Sequence, residues 1–135
     1  MIDDEIELLR LSFTLLGTFD PDFITNHFKI TPTRTAVRQE GGQGKPKVAK
    51  DIWELSKVYS NYFDTDKYIE SFLNKIMDIS EKLRILQNTT ELEGVLSCVI
   101  WLDQESSSPN IYLSELAISH LNDLGISFNV SLYFL

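Results

Sequence analysis

The stretch Gly17–Thr33, GTFDPDFITNHFKITPT, decides how the chain is to be read. Before it, from Glu5 to Leu16, apolar and polar residues alternate: Leu9, Leu11, Phe13 and Leu15 on one side, Arg10, Ser12 and Thr14 on the other. A period of two is that of a half-buried strand, and Gly17 ends it. Asp20 is suited to a helix N-cap, because its carboxylate can accept from the free N–H groups of the first turn. Pro21 then stands where a missing N–H costs nothing. Asp22 adds negative charge at the positive end of the helix dipole. Ile24, His27 and Phe28 share one side at helical spacing, and Thr31 before Pro32 is pushed out of the helical region. The stretch therefore predicts strand, turn, short capped helix and exit.

The same reasoning extends outward. Thr33–Gln39 is polar and β-tolerant, an edge-strand pattern. EGGQGKPK, residues 40–47, holds three glycines and one proline and reads as a flexible hairpin loop. A strand is expected over Val48–Lys57, with Trp53 and Leu55 on one face and Ile52 on the other. From Asp64 or Thr65, the residues Tyr68, Ile69, Phe72, Leu73, Ile76 and Met77 form one apolar helical stripe. Asp78 and Glu81 have the spacing of a capping box for a second helix carrying Ile79, Leu83 and Leu86. VLSCVIWL, Val95–Leu102, is apolar on both faces and predicts a central strand. Ser114 caps a further helix with Leu116, Ala117, His120, Leu121 and Leu124, and Gly125 fits its C′ position. Finally Ile126, Phe128, Val130, Leu132 and Phe134 alternate with Ser127, Asn129, Ser131 and Tyr133. The order β-α-β-β-α(α)-β-α-β predicts an α+β fold: a mostly antiparallel sheet with helices on one face. Its core is expected to be a ferredoxin-like β-α-β-β-α-β unit plus an added α-β.

At 135 residues the chain has length for a single domain, residues 1–135, with a substantial core. Its 43% hydrophobic content argues against disorder. No apolar run approaches the roughly 18 residues of a membrane span, and the acidic start Met1-Ile2-Asp3-Asp4-Glu5 is unlike a secretory leader. A cytoplasmic location is expected. The net charge of −8 disfavours nucleic acid and anionic membranes as ligands and favours a basic protein partner. Cys98 has no second cysteine to pair with and lies in an apolar run, as a buried, inert thiol would.

No motif for catalysis or for a cofactor is read. The two histidines, His27 and His120, both fall beside apolar helical positions. Carboxylate pairs such as Asp20 with Asp22 and Glu91 with Glu93 lie where caps and solvated charge explain them. Residues 39–46 fail as a phosphate loop: Gln39 stands where its first glycine belongs, and Pro46 replaces the required Ser or Thr. The one basic stretch is Arg34, Arg38, Lys45, Lys47 and Lys50, with Trp53 just beyond. Arg34, Arg38 and Trp53 are the candidate partner-binding residues, set against the commoner role of such Lys and Arg in protecting a sheet edge.

The ordered set Phe19-Asp20-Pro21, Pro32-Thr33, Trp53 and Leu124-Gly125-Ile126, with Tyr133 near the end, resembles the bacterial domain of unknown function 4279 family across nearly the whole chain. The resemblance implies a small bacterial intracellular domain. It supplies no catalytic residues, and toxin–immunity settings are only loosely implied by it. Two functions stay open at this point. One is a non-enzymatic protein-binding module, such as an immunity-type inhibitor of a basic toxin. The other is a small-molecule binder or enzyme with a cleft beside the sheet, in which His27 or His120 would meet carboxylates.

Overall fold

The computed structural model describes residues 7–39, 41, 44, 49–102 and 111–134. Most of the 40–47 loop, including Lys45 and Lys47, lies outside the described residues, as do the chain start and residues 103–110. The elements run β1 (Leu9–Gly17), α1 (Pro21–Phe28), β2 (Arg34–Ala36), β3 (Asp51–Tyr59), α2 (Thr65–Met77), α3 (Ser80–Thr89), β4 (Leu92–Leu102), α4 (Glu115–Leu124) and β5 (Ser127–Phe134). The strands form one sheet in the order β2-β3-β1-β4-β5. Strand β1 is antiparallel to both neighbours, β2 and β3 form an antiparallel pair, and β5 is parallel to β4. The first four strands therefore have the split β-α-β arrangement of a ferredoxin-like core, and α4-β5 is the addition.

Register explains the core. Leu11 stands opposite Lys57 and Cys98, Phe13 opposite Leu55 and Leu96, and Leu15 opposite Trp53 and Gly94. Opposed residues of a sheet share a face, so the odd-numbered side chains of β1 line up with Trp53, Leu96, Cys98 and Ile100. These are buried together with Ile24, Ile69, Leu73, Leu83, Leu86 and Leu121 from the four helices. All four helices thus pack on this face. Among the described residues no helix covers the reverse face, called the open face below, which carries Arg10 and, buried in its floor, Ser12 and Thr14.

The Gly17–Thr33 region folds by the chemistry its residues suggest. Asp20 accepts from the Asp22 amide at 3.0 Å, and Pro21 opens α1. The exit differs in detail. Lys29, not Thr31-Pro32, ends the helix, in a left-handed conformation (φ 59°) with its N–H on the Thr25 carbonyl. At Gly17 the chain runs so close to β4 that an added Cβ would lie 2.1 Å from the Glu91 carbonyl oxygen. Only a residue without Cβ fits there.

One expectation is corrected. Asp78 does not cap α3: its N-cap position is Ile79, with no side-chain hydrogen bond. Asp78 and Ile79 instead donate back to Lys75 and Ile76, and burial of Ile79 fixes the turn between the helices. Strand β5 alternates as read, with Phe128 packed against the core and the rest of its apolar side left exposed. Helix α4 rests mainly on α2 and α3, leaving Val130 36%, Leu132 46% and Phe134 75% exposed. Ser114 and Gly125 cap α4 as expected, the serine accepting from Ala117 N at 3.1 Å.

Candidate functional site: the open face of the sheet

Sheet register assembles a polar floor on the open face. Ser12 stands opposite Ser56 of β3 and Ser97 of β4, and Ser97 opposite Asn129 of β5. One row along the strands, Thr14 stands opposite Glu54, which faces Arg34 of β2. Glu54 collects the donors. Thr14 Oγ1 donates to Oε1 at 3.2 Å and Ser56 Oγ to Oε2 at 3.3 Å. Arg34 donates from Nε and from one terminal nitrogen, both at 3.4 Å. Ser56 has one hydroxyl proton, and Glu54 takes it. The 2.9 Å contact between Ser12 and Ser56 is then a bond in which Ser12 donates. The result is a relay, Ser12 to Ser56 to Glu54, closed by Arg34.

At the other end of this face lies an aromatic group. Trp101 and Tyr133 are paired across β4 and β5 and stack with centroids 6.2 Å apart at 24°. The Arg10 guanidinium lies 5.8 Å from the Trp101 ring centroid, within cation–π range, and its Nε is 2.7 Å from Glu7. Arg, Trp and Tyr are the side chains most often found as energetic anchors of protein interfaces. Tyr133 is 54% exposed.

The candidate residues from the sequence are separated by the fold. Arg34 lies on the open face, in the Glu54 network. Arg38 is exposed beside β2, and its amide donates to Asp51 Oδ1 at 2.7 Å. Trp53 is on the opposite, helix-covered face and has no exposed surface. Its indole N–H donates to Thr25 Oγ1 at 3.1 Å, and its ring meets Phe13 and Phe28 edge to face. As folded, Trp53 is a core residue out of a partner's reach. Sequence reasoning missed Arg10, Trp101, Tyr133 and the serine row. Each is an ordinary outward residue of its own strand, and only register puts them side by side.

Asp51 is the first residue of β3. It is buried and accepts from Arg38 N and, at 2.9 Å, from Phe19 N. The Arg38 amide holds its carboxyl below the usual range; burial opposes that shift, and the Phe19 amide and the Arg38 charge add to it. Asp51 thereby ties the β1–α1 turn and the end of β2 to β3. Burial alone pushes the Cys98 thiol up to about 11.

The histidines do not converge on carboxylates among the described residues. His27 Nε2 contacts the Lys82 carbonyl at 3.1 Å, and His120 Nε2 contacts Asn74 Oδ1 at 2.8 Å. A cleft of about 310 Å³ opens at the strand ends, lined by Leu16, Gly17, Lys50, Glu91 and Glu93, and contains neither. Among the described residues no group of three His, Cys, Asp or Glu is placed to hold a metal ion. No described helix is long and apolar enough to cross a membrane.

The family profile for a domain of unknown function (DUF4279) matches residues 7–135. The chain belongs to the DUF4279 family. Searches of curated proteins and of solved structures find no match. The match spans every described strand and helix of the chain, so the open face of this DUF4279 domain lies wholly within the family region.

Proposed function

We propose that this DUF4279 domain is a non-enzymatic protein-binding module that presents the open face of its sheet to a basic partner, as an immunity-type inhibitor of a basic toxin would. One observation carries the reading: the Arg10–Trp101–Tyr133 group stands beside a prearranged polar floor, on the face the helices leave free. Ordered donors and stacked rings lose little freedom on binding, so more of the contact energy appears as affinity. The net charge of −8 supports a basic partner by drawing it in and steering its approach. An intracellular bacterial setting fits the same role.

The test starts from the tagged chain in low-salt extract of its native host. A stoichiometric protein recovered there is purified and titrated by calorimetry. The expected result is a 1:1 complex, weakened by salt and weakened at least about 30-fold by Trp101→Ala or Arg10→Ala. Recovery of no stoichiometric protein, or equal binding by both variants, rejects the reading.

A further inference from the structure

Strand β5 ends the sheet, and no described strand pairs with its outer side. From Ser127 to Phe134 it carries no charged residue and no proline. Natural sheets protect an exposed edge with lysines, prolines, bulges or brevity. This edge is eight residues long and has neither of the first two. Its helix side remains apolar and open at Val130, Leu132 and Phe134. Such a strand is a template for another strand.

The geometry points to a second copy of this chain as the occupant: β5 pairs antiparallel with β5 of a partner subunit, about a two-fold axis at Ser131. A two-fold axis normal to the sheet keeps helix faces together, so opposed residue numbers must sum to an even number. With Ser131 on the axis, Phe128 meets the partner's Phe134 and Val130 meets the partner's Leu132. On the open face Asn129 meets the partner's Tyr133. Apolar residues are thus matched with apolar ones along the whole strand, by its own symmetry. Charge favours the same place. Two chains of net charge −8 repel, and β5 is an approach free of charged side chains. The edge is about 27 Å long at a strand's rise, which suits an interface of the small class, under about 1,200 Å² in total, and so a reversible dimer. The inference shares Tyr133 with the partner-binding reading but uses neither Arg10 nor Trp101, and its test variants at Val130, Ser131 and Leu132 leave Tyr133 in place.

Sedimentation of the full chain between about 1 and 100 µM tests it. A monomer–dimer equilibrium is expected, with Kd on the order of 10 µM. Leu132→Lys places a charge opposite the partner's Val130 and should raise that Kd at least about tenfold, with an unchanged circular dichroism spectrum. Ser131→Cys should form an intermolecular disulfide under mild oxidation, because directly opposed Cα atoms of an antiparallel pair stand about 4.5–5.5 Å apart, within a disulfide's reach. Val130→Cys, offset from its own copy, should cross-link far more slowly. A monomer throughout the range overturns the proposal. So does a dimer that Leu132→Lys leaves intact and Ser131→Cys fails to cross-link.

Discussion

Replacing Asp51 by Ala removes one acceptor from two backbone donors at once. The Arg38 amide lies 2.7 Å from Oδ1 and the Phe19 amide 2.9 Å from Oδ2. A hydrogen bond to a charged group contributes about 1.5–3 kcal/mol. Arg38 is exposed, so its amide can turn to water and the lower end of that range applies to it. The Phe19 amide is shielded better and keeps more of its cost. The sum is about 3 kcal/mol, a large part of a small domain's stability. In urea the midpoint should fall by roughly 1.5–2 M for a chain of this size. Asp51→Asn keeps one acceptor and should lose about half as much. The pH dependence has a definite sign. The folded carboxyl lies below its ordinary value of 3.8, so the folded state binds fewer protons than the unfolded one. The stabilisation is complete above the unfolded value and disappears as pH falls through the folded one. The gap between wild type and Asp51→Asn should therefore be full above the ordinary carboxyl value of 3.8 and close as pH falls below it. Urea unfolding followed by tryptophan fluorescence reads both effects. A loss under about 1 kcal/mol for Asp51→Ala, or a gap independent of pH, would refute the clasp.

Three further outcomes follow from the same structure. Asp20→Ala should cost about 1 kcal/mol through the lost N-cap of α1, read by the same unfolding assay. Gly17→Ala drives a Cβ onto the Glu91 carbonyl and should destabilise by about 3 kcal/mol, because the Glu91–Leu92 backbone must move. Cys98 has no exposed surface and its thiol is pushed up to about 11. A thiol reagent at pH 8 should therefore label it only after denaturant is added, at a rate set by unfolding.

Local chemistry was readable wherever one residue does one job. Asp20, Pro21, Ser114 and Gly125 act where their side chains or backbone freedom suggest. The element order was sufficient for the ferredoxin-like arrangement, and alternation in β1 and the apolar run of β4 marked two inner strands of the sheet. The failures came where a decision depends on distant neighbours. Asp78 had capping-box spacing, yet burial of Ile79 set the turn. The alternation of β5 named the right face but not its coverage, which depends on where α4 comes to rest. Trp53 near a basic stretch invited a binding role. Its register opposite Leu15 instead places it under α1. The open-face group is the extreme case. Arg10, Trp101 and Tyr133 come from β1, β4 and β5, and no spacing in the chain relates them.

The most direct test is the affinity of the wild-type chain and of Trp101→Ala for the partner recovered from the native host. An anchor of this kind contributes at least about 2 kcal/mol, so binding should weaken about 30-fold or more. The variant's urea midpoint should stay near that of wild type. Affinities within twofold of each other, on a properly folded variant, would place recognition elsewhere and contradict the assignment of the open face.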